Sequence, residues 1–155
     1  MAEGRRRNDS RKAVAEKLGV VLASSYTLML KSQNYHWNVT GPAFGPLHEL
    51  FGAQYAELFA AGDEIAERIR ALGPFAPGSY AEFGKLSIVR DAPASPPAHK
   101  SMIADLARDH GAVSTLCAEL REFADDSGDT ATGDLMNGRI KAHDKAACIL
   151  RAHLE

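Results

Sequence analysis

Only two of the 155 residues are cysteine. Cys117 and Cys148 fall on different expected helices and form no metal-type pair, so buried, reduced thiols in a cytoplasmic protein are the expectation. No apolar run approaches 18 residues, so no membrane span is expected. The basic N-terminus has no apolar core behind it, which argues against a secretory signal. No segment alternates with period two over a useful length, so no sheet is expected.

What is present is ordinary in amount and uneven in placement. Hydrophobic residues make up 45% and charged residues 25%, both usual for a globular chain. At this length one domain is expected, able to bury roughly two-thirds of its unfolded surface. The formal net charge is -2. Residues 1–12 hold five positive side chains (Arg5, Arg6, Arg7, Arg11, Lys12) and two negative ones (Glu3, Asp9), a net of +3 on an acidic body. A flexible basic arm of this kind is a candidate for gripping phosphates, or a solubilising terminus.

Helical periodicity accounts for most of the chain. Apolar residues at Val14, Leu18, Val21, Leu22, Leu28 and Met29 predict a first helix from Arg11 to Val39, capped by Asp9 or Ser10. Gly41 and Pro42 end it. A second helix is expected from Ala43 to Leu72, stopped by Gly73 and Pro74. Residues 74–97 are rich in Pro, Gly, Ala and Ser, with a short helix expected within 79–89. A third helix spans Pro97 to Ala124, and an acidic turn from Asp125 to Asp129 leads to a last helix from Thr132 to His153. Four long helices with one long middle connection make an all-α, ferritin-like four-helix bundle over 13–155. That connection lets the second and third long helices run parallel.

The chemistry-bearing residues concentrate between Asn34 and Gly73. With His48 at zero on a helical wheel of about 100° per residue, Gly52 lies near ~40°, Asp63 near ~60° and Glu67 near ~100°. Leu47, Phe51, Leu58, Ile65, Ile69 and Leu72 occupy the opposite arc and must face the chain's own core. His48, Asp63 and Glu67 therefore point away from it. His48 and Asp63 are also about 22 Å apart along the helix, at roughly 1.5 Å per residue. One chain cannot bring both to one small site, but two such helices packed antiparallel about a two-fold axis could. The pattern predicts a metal site at a homodimer interface, with carboxylates from Asp63 and Glu67 and imidazoles from His36 and His48. Such a donor set suits ferrous iron, manganese or zinc. The plainer alternative pairs Asp63 or Glu67 with Arg68 or Arg70 on the helix surface.

At these residues the chain resembles the Dps family, the mini-ferritins. The likeness runs through Asn34-Tyr35-His36-Trp37-Asn38-Val39-Thr40-Gly41, Phe44, Leu47-His48-Glu49-Leu50-Phe51, Tyr55 and Asp63-Glu64-Ile65-Ala66-Glu67-Arg68. It continues through His143-Asp144-Lys145 and Leu150-Arg151-Ala152-His153-Leu154. The resemblance implies a hollow dodecamer with 23 symmetry and ferroxidase centres at its two-fold interfaces. Asp63 and Glu67 would come from one subunit, and His36 and His48 from its partner. Iron(II) would be oxidised there, by hydrogen peroxide in preference to dioxygen, and stored as a ferric mineral, protecting DNA. Trp37 is suited to quench stray radicals, or simply to pack at the interface.

One residue departs from the family pattern. Gly52 stands where a carboxylate is usual, which leaves the iron position at Asp63, Glu67 and His36 intact and weakens the one near His48. Asp125, Asp126, Asp129 and Asp134 lie where the resemblance places a three-fold pore, and Asp129 could equally cap the last helix. His99, His110, His143 and His153 are expected to be ordinary surface or packing residues. The alternative to a ferroxidase store is a DNA-compacting shell whose basic arms act together. A zinc or manganese shell without oxidation is a third reading.

Overall fold

The computed structural model describes residues 2–155, apart from the side chains of residues 2, 3 and 5. Five helices and no strand are found among the described residues: α1 (Ala2–Asn38), α2 (Phe44–Leu72), α3 (Tyr80–Leu86), α4 (His99–Asp126) and α5 (Thr130–Ala152). Each boundary has a local cause. α2 stops at Gly73, whose φ of 119° suits a residue without a Cβ and whose N–H reaches the Arg70 carbonyl at 3.0 Å. At α3, the Ser79 hydroxyl accepts the Glu82 N–H at 3.2 Å while the Glu82 carboxylate accepts the Ser79 hydroxyl at 2.9 Å. The Asp129 side chain accepts from Thr132 N–H at 3.1 Å and starts α5.

Two expectations change at the N-terminus. α1 begins at Ala2, so the segment read as a flexible arm continues the first helix, and Asp9 and Ser10 lie inside it rather than capping it. Ala2, Glu3 and the three arginines that follow Gly4 are good helix formers, and the helix tolerates Gly4, Asn8 and Asp9 among them. α1 also has the length and composition to cross a bilayer. Its apolar residues Val14, Leu18, Val21, Leu22 and Leu28 are instead buried in the protein's own core.

The helices form a ring in which α1 packs on α2 and α4, α5 packs on α4 and α2, and α3 covers α1. Polar contacts fix the directions. Arg11 reaches the end of α2 while His36 meets its start, so α1 and α2 are antiparallel. Lys31 and Tyr35 meet Asp109 and Asp105 early in α4, while Lys17 lies over Phe123 late in it. α1 and α4 are therefore antiparallel too, and α2 and α4 run parallel. The core takes the predicted apolar residues, including Leu47, Phe51, Leu58, Ile65 and Ile69 of α2. Each large side chain so buried contributes about 1.5–3 kcal/mol.

A charged cluster pins α1 to α4. Lys31 Nζ, almost fully buried, sits 2.6 Å from Asp109 and 3.3 Å from Asp105. Arg108 pairs with both aspartates. The Tyr35 hydroxyl donates to Asp105 at 2.6 Å. Burial opposes ionisation of Asp105, yet the Tyr35, Lys31 and Arg108 partners outweigh it and hold its carboxyl below the usual range. Burial and the same aspartate push the Tyr35 phenol upward, so it stays a donor.

Candidate metal centre

α1 and α2 meet at their hairpin end through two imidazoles. The His36 and His48 rings stack with centroids 3.7 Å apart and 19° between planes. His36 Nδ1 lies 2.6 Å from the His48 carbonyl, and His48 Nδ1 lies 2.8 Å from the His36 carbonyl. A carbonyl oxygen only accepts, so both Nδ1 atoms carry the proton. Each ring is thereby fixed in the tautomer whose Nε2 lone pair is free. This is the outer-shell bond that orients a metal-binding histidine. Both residues are half-buried, so the free nitrogens remain within reach of the surface.

The carboxylates lie further along α2. Asp63 and Glu67 are exposed, as the wheel requires. The surface pairing that competed for them is absent among the described residues, because both arginines are engaged elsewhere. Arg68 donates to Asp129 at 2.6 Å and to Thr132 Oγ1 at 2.9 Å. Arg70 donates to the Gly73 and Pro74 carbonyls and stacks over Phe75. Among the described residues no three His, Cys, Asp or Glu side chains come together closely enough to hold a metal. One chain thus offers an imidazole half and a carboxylate half, apart. Large apolar side chains are exposed nearby: Trp37 at 61%, Phe59 at 61% and Phe44 at 47%. On the same wheel Phe44 and Phe59 lie within about 40° of His48, so the ligand face is also an uncovered apolar face.

Other candidates fare differently. Asp129 is a cap and an ion-pair partner, its oxygens taken by Thr132 and Arg68, so it is not a free pore carboxylate. Asp125 lies 3.5 Å from Arg121, while Asp126 and Asp134 are exposed without an ion pair among the described residues. Among the basic residues, Arg11 is half-buried and caps α2 through the Ala71 carbonyl at 2.8 Å, so it is withdrawn from phosphate binding. Arg6, Arg7 and Lys12 are exposed. The Arg5 side chain lies outside the described residues. Cys117 is buried, and burial pushes its thiol up to about 12. Cys148 is exposed, correcting the expectation that both thiols are covered.

Sequence reasoning missed one cluster. His110 and His143, read as ordinary residues, are buried and joined Nδ1 to Nδ1 at 2.9 Å. Arg139 donates to both Glu57 oxygens, and its Nη2 lies 3.3 Å from His143 Nε2. Arginine only donates, so His143 accepts there at Nε2, carries its proton on Nδ1 and donates it in a hydrogen bond to the Nδ1 lone pair of His110. His110 is then protonated on Nε2, which has no partner among the described residues. The only sequence signal was their recurrence on the buried stripes of α4 and α5.

Comparison with known proteins agrees with this fold. The Ferritin-like domain family matches residues 15–155. A low temperature-induced protein of Nostoc is 36% identical over 96% of this chain and 83% of its own length. DNA protection during starvation protein 2 of Bacillus anthracis is 34% identical over 92% of this chain and 97% of its own. The crystal structure of Dps from Thermosynechococcus elongatus superposes with a TM-score of 0.92 at 29% identity, covering 96% of this chain and 94% of that one. That of Vibrio cholerae Dps, described as a member of a broad superfamily of ferritin-like diiron-carboxylate proteins, gives 0.91 at 26%, covering 96% and 92%. Bundle and comparisons together define a ferritin-like protein. Within that class the chain belongs to the Dps family, whose members serve iron storage and DNA protection.

Proposed function

We propose that this protein is a ferroxidase mini-ferritin that oxidises iron(II) at a site shared between two copies of the chain. The reading is carried by the imidazole half-site: two histidines whose Nδ1 protons are held by carbonyls, leaving both Nε2 lone pairs free. Asp63 and Glu67, on the same face of α2 and without an ion pair among the described residues, would complete the donor set from a second chain. The separation of about 22 Å along the helix and the exposed Phe44 and Phe59 both support a two-fold contact. Closure of such contacts into a dodecameric shell, with oxide stored inside, belongs to the same proposal.

Ferrous iron is the substrate. Each ion gives up one electron, and two ions reduce one hydrogen peroxide with two protons to two waters. Anionic carboxylate donors attract the more highly charged ferric product more strongly than the ferrous substrate, which favours oxidation. Removing peroxide and ferrous iron together would limit radical formation near DNA.

The test is peroxide-driven iron(II) oxidation followed by ferric absorbance on the purified assembly. Asp63→Ala and His36→Ala should each slow it at least tenfold. An unchanged rate in both would remove the site. DNA binding is the second reading, favoured by the exposed Arg6, Arg7 and Lys12. Twelve weak patches would act together and in a salt-sensitive way. A gel shift abolished by changing these three residues to Gln supports it, and an unchanged shift excludes them.

A further inference from the structure

We infer that the groove between α2 and α5 is a binding site for a small neutral molecule that presents a planar carboxamide edge on an apolar body. Arg68, late in α2, reaches Asp129 at the start of α5, and Glu57, midway along α2, meets Arg139 further along α5. The two helices are therefore antiparallel. Beside the Glu57–Arg139 pair lies an open groove of about 420 Å³, within the roughly 300–1,000 Å³ usual for small-molecule sites. Small side chains, Ala53 from α2 and Ala146 from α5, keep it open, and Leu50 and Ile149 make it apolar.

Its floor is polar and unsatisfied. Gln54 and His110 line the groove and are 8% and 2% exposed. Among the described residues neither amide atom of Gln54 has a hydrogen-bond partner, and neither does His110 Nε2. Buried polar atoms are rarely left so, because each has given up its water. The missing partner can be deduced from the atoms that lack one. His110 Nε2 carries a hydrogen, since His143 donates to its Nδ1. Gln54 offers an N–H donor and a carbonyl acceptor side by side. One oxygen that accepts twice, next to one N–H that donates, would satisfy all three. That is the edge of a carboxamide.

Charge points the same way. Burial holds His110 in its neutral form. The buried Arg139 charge is matched by Glu57. Lys145 is exposed at the rim, where water and salt screen it. An ionic head group would lose its hydration on this floor and gain no buried counter-charge. None of His36, His48, Asp63 and Glu67 lines the groove, so the site is separate from the metal centre.

The test uses the full assembled protein and benzamide, with benzoate and benzylamine as charged analogues of similar shape. Saturation-transfer NMR titrations report binding without any iron, so the outcome stands whether or not the iron reading does. Benzamide should bind saturably and at least tenfold more tightly than either ion. Gln54→Leu, which keeps an apolar side chain in place, should weaken benzamide at least tenfold and erase its advantage over the two ions. Ala53→Leu, on the exposed wall, should block binding by filling the groove while leaving the thermal midpoint unchanged. A crystal of the benzamide-soaked assembly should show the amide against Gln54 and His110. The absence of saturable binding overturns the inference, since water or a second copy of the chain then covers these atoms. Tighter binding of benzoate or benzylamine overturns it as well, and so does benzamide binding that neither variant changes.

Discussion

The protein contains two pairs of touching histidines, and they differ in where their last nitrogen points. His36 and His48 stack at the hairpin end of α1 and α2, each tied by Nδ1 to a backbone carbonyl. His110 and His143 lie inside the bundle, tied to each other and to Arg139. In the first pair the backbone absorbs the protons and two lone pairs are left over. In the second, an arginine that can only donate sets the proton order, and what is left over on His110 is an N–H rather than a lone pair. The first pair is equipped to take a cation and the second is not. Proximity of imidazoles is therefore a poor guide to metal binding, and the hydrogen-bond partner of each Nδ1 is a better one.

Substitution should separate the pairs. His143→Ala should cost the most stability, about 3 kcal/mol, because it leaves a cavity and strips Arg139 and His110 of a buried partner. Urea unfolding measures this, and anaerobic iron(II) binding by the same variant should be unchanged. His48→Ala should do the reverse, lowering iron binding at least tenfold while changing stability by about 1 kcal/mol. If both variants lost stability and iron alike, the distinction would collapse.

Acid should sharpen it further. Burial drives both interior histidines toward the neutral form, and in His143 the neighbouring His110 and Arg139 add to that. Their folded affinities for protons are thus depressed below the unfolded value near ~6.5. The stability they lend is present above that pH and is lost as the pH falls below it, at up to about 1.4 kcal/mol per pH unit for each group. Unfolding midpoints between pH 7 and 5 should show this slope, and it should flatten in His110→Gln. A slope unaffected by that change would place the acid sensitivity elsewhere.

The smallest effect concerns the far end of the bundle. Asp129→Ala removes the α5 cap and the Arg68 partner, at a cost of about 1 kcal/mol. If Asp129 is a cap alone, iron uptake should persist, and a large loss of uptake would restore it to a pore.

Much of this could be read from the chain. The 3.6-residue stripe of α2 predicted both its buried face and its ligand face, because burial of Leu47, Phe51, Leu58, Ile65 and Ile69 leaves His48, Asp63 and Glu67 no other direction. The Gly-Pro breaks predicted where α1 and α2 end, and the first of them the hairpin that joins the two. The start of α1 was not legible, since its sequence contains a strong cap signal at Asp9 and Ser10 that the helix runs straight through. The interior polar chain was not legible either, because a histidine at a core position looks the same whether or not an arginine from another helix meets it.

The residues between Asn34 and Gly73, by their types and spacing alone, determined that the imidazoles and the carboxylates of one chain lie on one side of α2 but too far apart along it to meet. Helical periodicity and rise are local properties of the backbone, so they can be counted along one chain. Tertiary structure decided the rest: which ring nitrogens are free, that Arg68 and Arg70 turn to partners other than Asp63 and Glu67, and that the space beside Gly52 is filled by the His36 ring. Those facts depend on atoms brought together from distant parts of the chain, and no spacing within one helix encodes them.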